Sequence, residues 1–582
     1  GGNWTQGTNG IFLHGNSTVI FNSGAGSATI TPRTSDFYNV VFNNAITTFF
    51  LSGTTINFDG KFEVLNGTVM PSTNNYTYNV SGDITINGGF FFPTQGGVTA
   101  GTFILDGADQ DVTNGYFHHV QVSGTGTKTF IDSAAVNGTT TINSTLTANT
   151  GCIIDFNGNF YLDAAGTFND GNEIHTFGGQ RWDGYGTYAG NGTILFDRTN
   201  GDQYVYAGNF YDVDVNCTGR RLFLWGDITV GNNMTIHTGI NYAYMYDNLI
   251  TNSSGTGTFT LEDNVRFYVT GANNFPKNFG IYNLSASSTT YYYGSIDQNI
   301  DGLMYGNLLT NYATTKTLTG DVEVKGYLTF NSSTIDVSAN NYTLIVGGSW
   351  NNNSTGNFIG RTGEVIFNGG ANQPINVGAS NINDFYDLTV NKSGGYAYAN
   401  NNTTNDFTIN NNLNVTAGQF SANGRTVYIG GDMTASATGT FRNNTGTYYL
   451  NKTSGTANIS TNGSSLLNMI INAGTTNYTV LDDFNLIGDF TLTSGTFNGN
   501  GNTVILGNGN SDVINISGTY QVGSGGTLAI GYYTSLTVDA GGIMVIVASS
   551  SAIAEFSRRD NGLYNFTVNG NIADRYYSSD YV

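Results

Sequence analysis

Three kinds of residue in this chain could do chemistry: clustered carboxylates, histidines and runs of tyrosine. The densest acidic stretch, LDGADQD, places Asp106, Asp109 and Asp111 within six residues. Loop oxygens so spaced make a calcium candidate, since calcium collects six to eight oxygen ligands. The spacing matches neither an EF-hand loop nor a nine-residue Gly-Asp repeat, and the plainer reading is a polar turn after a strand. Glycosidic hydrolysis needs two carboxylates at a fixed separation, and Glu262 with Asp263 in LEDN is the other acidic pair. The 19 cations are scattered, and no Gly-His-Gly or Arg-x-Lys companion accompanies either cluster, so no catalytic residue is assigned. The histidines His14, His118, His119, His175 and His237 fit no zinc spacing. Adjacent His118 and His119 are expected on opposite faces of one strand, where they could not share a metal, and no cofactor is expected.

The aromatic runs are the better lead. YAYMYDN carries Tyr242, Tyr244 and Tyr246, TTYYYGS carries Tyr291 and Tyr293, and YVYAG begins at Tyr204. Alternation turns every second ring outward, giving a tyrosine surface suited to packing, to a protein partner or to stacking on sugar rings. N-x-[ST] triplets at Asn16, Asn143, Asn331, Asn391, Asn414 and Asn477 are candidate glycosylation sites. Asn and Thr are also favoured corner residues, which gives the same triplets an architectural reading. Cys152 and Cys217 alternate in phase with aliphatic neighbours, as buried thiols do; the sequence leaves open whether they pair.

What must position these residues is a set of short strands. Alternation runs for four to seven residues and is then cut by NG, GN, SG or GG, as in DFTINNNLNVTAGQFSANGRTVYIGGDM. No stretch keeps a helical period. A longer unit recurs: a GG-x-W phrase at Gly1, Gly178 and Gly347, then a G-T-x-x-F strand, then an aromatic phrase such as DFYDLTVNKSGG. The aromatic phrase begins at Phe37, Phe117, Phe210, Ile281, Phe385, Leu466 and Leu563, at spacings of 71 to 104 residues.

Without crossover helices, such strands either fold back as hairpins or wind forward as a solenoid. The long unit and the scarcity of charge favour winding. The expected fold is therefore all-β, a parallel β-helix, right-handed by the general preference of parallel crossovers. Roughly 25 coils of about 20 to 24 residues would form a single elongated body over residues 1–582. Inward positions would include Phe385, Leu388, Val390, Phe407, Ile409, Leu413 and Val415, with Tyr386 outside and Lys392-Ser393-Gly394-Gly395 at a corner. Tandem antiparallel sandwiches are the competing fold, and their mark would be Asn-Gly hairpins.

Only 10% of residues are charged, and the net charge of −21 reflects scarce cations. Nucleic acid, which needs clustered Lys and Arg, is excluded as a partner. No apolar run reaches transmembrane length, so membrane insertion is not expected. A surface of Asn, Thr, Ser, Gly and Tyr suits an extracellular protein, and the chain reads as a mature, processed product.

The phrases FYDLTVNKSGG, DFTINNNLNVTAGQFSANGRTVYIGGDM and GEVIFNGGANQPINV resemble the β-strand repeats of large bacterial and archaeal surface proteins, similar to filamentous adhesins. That resemblance implies a secreted or cell-surface, fibrous role and brings no catalytic residues. A solenoid has open ends, and this chain opens on GGNW and closes inside an unfinished unit. The expectation is a self-assembling filament or sheath subunit, joined end to end or by strand exchange. The alternative is a monomeric adhesin stalk binding glycans or a neighbouring cell surface through its tyrosine faces. A polysaccharide-degrading β-helix enzyme is the third reading.

Overall fold

The structure, a computed structural model, describes all residues except 1, 25, 73–75, 92–100, 354, 379–382, 401–406, 444–445, 508–511, 531–533, 540–541, 548–552, 556–565 and 570–582. The aromatic phrase at Leu563 lies largely outside the described residues. The chain divides into two compact units, Gly1–Ser288 and Thr289–Val582, and together they wind about 23 turns of all-β parallel solenoid.

In unit 1 each central turn contributes three strands to three sheets. One sheet stacks Gly115–Phe117, Ala134–Val136, Ile154–Phe156, Ile174–Phe177, Thr193–Phe196, Asp212–Val215, Met234–Ile236, Thr258–Leu261 and Ile281–Leu284. A second holds Thr127–Phe130, Thr145–Ala148, Thr167–Asn169 and Thr187–Ala189 among its strands. A third runs from Thr102–Leu105 through Arg181–Gly184 and Gln203–Phe210 to Arg266–Val269. Unit 2 repeats the plan, for example with Val322–Val324, Leu328–Phe330 and Thr334–Asp336 in one turn. Partners in neighbouring turns lie from 17 residues apart (Thr102 and His119) to 28 (Ile84 and Val112). Loops of different length therefore enter at corners while the strands keep register.

Period-2 alternation explains the core directly, because each inward residue sits on the inward residue of the turn before. Phe117, Val136, Phe156, Phe177, Phe196, Val215, Ile236, Leu261 and Leu284 form one such column, and every member is buried. Burying each aliphatic or phenyl side chain is worth about 1.5 to 3 kcal/mol. Phe385, Leu388, Val390, Phe407, Ile409, Leu413 and Val415 are inward as the alternation requires.

The recurring phrases are two halves of one packing unit. Trp4, Trp182 and Trp350 of the GG-x-W phrases meet Phe37, Phe210 and Phe385 of the aromatic phrases at 5.1, 5.4 and 5.1 Å between ring centroids. The first ring ends a strand (Phe210) or makes an isolated β-bridge to the next turn (Phe37, Phe385), and the next residue, Tyr38, Tyr211 or Tyr386, bends the chain into the following strand. The phrase is thus a corner with its own core plug. At the Ile281 copy the inward role passes to Phe279, which is buried, while Ile281 is 53% exposed.

Asn-Gly pairs turned out to be corners, not hairpins. Asn423-Gly424, Asn462-Gly463 and Asn500-Gly501 all have positive φ at both residues, the signature of a type I′ turn. Yet among the described residues the strands pair in parallel with neighbouring turns, as Leu413–Ser421 does with Met433–Phe441. Asn amides also stack outside the core: Asn79 donates to Asn57 at 2.8 Å, and Asn57 to Asp36 at 2.7 Å.

One inward residue contradicts its chemistry. Lys392, expected with Ser393, Gly394 and Gly395 at a corner, lies instead within the strand Asp387–Ala399 where its register shifts, points into the interior and is 3% exposed. Its ammonium donates to Gly369 O at 2.7 Å and to the side-chain oxygen of Gln373. Lys316 does the same with Gly294 O, Ile296 O, Gln298 Oε1 and Thr314 Oγ1 at 2.7 to 3.1 Å, the closest being Gln298 at 2.7 Å. Lys128 donates to Gly107 O, Ala108 O and Thr125 O. Carbonyls that a sharp corner turns inward need donors, and a lysine stem reaches them through apolar surroundings.

Candidate functional site

The third sheet of unit 1 carries outward aromatic side chains over consecutive turns. Register aligns Tyr204, Phe223, Tyr244 and Tyr268 in one column. Tyr204 stacks on Phe223 at 5.3 Å and 11°, and Tyr244 on Tyr268 at 5.5 Å and 19°. Rings stacked in this way turn their faces to one another and offer mainly edges and hydroxyls outward. A second column lies beside it: Tyr206, Trp225 and Tyr246, with centroids 5.4 and 5.7 Å apart. Trp225 stands at 88° to Tyr204 and is 49% exposed. Its indole and the ring of Tyr246, 39% exposed, are the large aromatic surfaces of this face that remain open to a ligand.

Two arginines frame the columns. The Arg181 guanidinium lies 4.0 Å from the Tyr206 ring centroid and donates through Nε and Nη2 to Asp183 at 2.9 and 2.7 Å. Arg221 lies over Phe223 and Tyr242, donates to Tyr242 Oη at 2.9 Å and pairs with Asp202. That pairing holds the Asp202 carboxyl below its ordinary range. Cation–π and bidentate contacts together fix the side chains before any ligand arrives. In the chain Asp227 follows Trp225 by two residues and accepts from Leu249 N at 2.8 Å, and Asp247 follows Tyr246 and accepts from Thr270 Oγ1 at 3.4 Å. Both carboxylates are exposed.

The tyrosines expected to face outward divide accordingly. Tyr242, Tyr244 and Tyr246 belong to this face; Tyr291 and Tyr293 lie in unit 2, where Tyr293 packs edge-on against Tyr312 at 4.9 Å. Trp225, Arg181 and Arg221 were missed by sequence reading. A usable signal existed: of the four tryptophans, Trp225 in LFLWGD alone stands outside a GG-x-W phrase.

The other candidates do not assemble. Asp106 accepts from Ser81 Oγ at 2.9 Å and Asp109 from Thr127 N at 2.8 Å, while Asp111 is exposed. Among the described residues no group of three His, Cys, Asp or Glu side chains has metal-binding geometry. His118 and His119, expected on opposite faces, stack on each other at 4.2 Å and 20°. The chain bends between their two strands, so the alternation rule does not apply across that step. Burial, then the neighbouring imidazole, pushes His118 down to about 4.

His237 lies between Glu262 at 3.1 Å and Asp214 at 3.5 Å. Asp263 accepts from Ser287 Oγ at 2.9 Å. Cys152 and Cys217 are buried free thiols, raised by burial to about 11 and about 12. Of the six candidate sequons named above, Asn16 and Asn391 have exposed side chains and the other four are half-buried; Thr434 donates to Asn414 Oδ1 at 2.9 Å. No family model, curated protein or solved structure matches the chain.

Proposed function

We propose that the protein is an extracellular, cell-surface β-solenoid that binds carbohydrate through the aromatic face of unit 1. The observation that carries this reading is Trp225, half-exposed between Tyr206 and Tyr246, with the exposed carboxylates Asp227 and Asp247 close by in the chain. An open indole stacks on the apolar face of a sugar ring, and fixed carboxylates and arginines bond its hydroxyls. The neutral polar coat and the resemblance to filamentous surface repeats support the location, and the solenoid would serve as the stalk that displays the face. No catalytic role is proposed.

The test is binding of the whole chain to a panel of polysaccharides, compared with Trp225→Ala. Because Trp225 lies outside the core, the variant should keep the wild-type circular dichroism and unfolding midpoint while losing at least about tenfold in affinity, or about 1.4 kcal/mol. Equal binding by the variant overturns the reading. Loss of self-association instead of glycan binding would point to a second copy of the chain as the occupant.

A further inference from the structure

Resting on that reading, we propose that the ligand is a neutral, linear polysaccharide lying along the column Tyr206, Trp225 and Tyr246, one sugar residue to each of three turns. The direction follows from the way the face is built. Successive rings of the column come from successive turns, at 5.4 and 5.7 Å, and the strand spacing of about 4.8 Å sets that repeat. One pyranose residue of an extended polysaccharide has about the same length, so a chain laid along the column meets an equivalent aromatic environment at each turn. A chain laid across the strands would leave it after one residue.

Charge decides the class. Three arginines, Arg181, Arg221 and Arg266, stand on or beside the face against four aspartates, Asp183, Asp202, Asp227 and Asp247. Arg181 and Arg221 already spend their paired donors on Asp183 and Asp202. The two exposed carboxylates, Asp227 two residues after Trp225 and Asp247 next to Tyr246, outnumber the one arginine not spent on those pairs, Arg266, so a uronate or sulfate group would meet net like charge there. Hydroxyl groups, by contrast, can donate to those same carboxylates. Each already has one oxygen held by a neighbour, which fixes how the carboxylate is turned.

The experiment is calorimetric titration of the full chain with neutral gluco-, xylo- and manno-oligosaccharides of increasing length, and with oligouronates and sulfated oligosaccharides. The expected result is a neutral ligand whose affinity rises about tenfold from di- to trisaccharide and then levels off. Binding should change less than about twofold between low and high salt, since no ion pair forms with the ligand. Tyr246→Ala should remove the gain of the third residue and leave the disaccharide affinity as it was.

Tighter, salt-sensitive binding of an acidic oligosaccharide, abolished by Trp225→Ala, overturns the neutral class while leaving the carbohydrate-binding face standing. Affinity that climbs steadily past the trisaccharide, or does not depend on length, overturns the three-turn arrangement. If no oligosaccharide of either class binds, the functional reading itself falls.

Discussion

At the scale of single residues, the buried lysines bear the clearest energetic load. Lys316 is fully buried, and burial lowers its ammonium to about 8, which still leaves it charged at neutral pH. It stays inside because Gly294 O, Ile296 O and Gln298 Oε1 surround it with acceptors. Lys316→Met keeps the stem and removes the donors, leaving Gly294 O and Ile296 O without the ammonium, while Gln298 Oε1 keeps its bond from Gly294 N. The expected loss is about 3 kcal/mol, from an unmet cost of about 1 to 3 kcal/mol for each buried polar group. Lys61, whose side chain is 62% exposed beside Asp83, should lose under about 0.5 kcal/mol as Met. Equilibrium denaturation of both variants checks this; equal stability of the two would contradict the account. None of this was visible in the sequence, where a lysine beside Ser-Gly-Gly reads as a corner. Trp225 was obscure for a related reason: alternation says which side a residue takes, and only contacts with rings in the neighbouring turns say whether its face stays open.

At the scale of the turn, one corner is built on glycine. Gly138, Gly158 and Gly179 succeed one another at the same corner, and a Cβ on Gly158 would sit 1.9 Å from Gly138 O. A Cβ on Gly179 would likewise sit 1.9 Å from Gly158 O. Unit 2 repeats the device: Gly326 N donates to Gly306 O and Gly348 N to Gly326 O, both at 2.7 Å. Backbone here passes directly over backbone, which explains why the GG-x-W phrase needs its second glycine. Gly158→Ala must push two turns apart, and overpacking of that kind costs about 1 to 3 kcal/mol or more. Gly7, which has nothing within 4 Å of a Cβ, serves as the control, and Gly7→Ala should be near neutral. Thermal unfolding followed by circular dichroism should lower the midpoint for the first and not the second. Strand existence, inward faces and the solenoid class were legible because alternation of apolar residues reports burial directly. The corners were legible only as breaks: an Asn-Gly pair has the same φ signs in a hairpin and in a solenoid corner, and the strands beyond it decide which.

At the scale of the whole molecule, the fold makes stability a sum of neighbouring contacts. Strands bond to the turn before and the turn after, so cooperativity passes along the solenoid by nearest-neighbour interfaces. Trp350 is a suitable place to break that chain. It is fully buried and touches Phe330 at 5.3 Å, Phe358 at 4.9 Å, Phe367 at 6.2 Å and Phe385 at 5.1 Å, rings from consecutive turns of unit 2. Trp350→Ala opens a cavity there at a cost of about 3 to 5 kcal/mol. In a globular domain with one shared core, that loss would lower protection throughout the domain. In this architecture it should fall on the turns that line the cavity. Hydrogen exchange should accelerate in strands Leu328–Phe330, Trp350–Asn352, Asn357–Ile359, Glu364–Phe367 and Asp387–Ala399, while the nine-stranded sheet of unit 1 keeps its wild-type protection. Uniform acceleration across both units would show that the chain unfolds as one cooperative body, and the nearest-neighbour account of its stability would then be wrong.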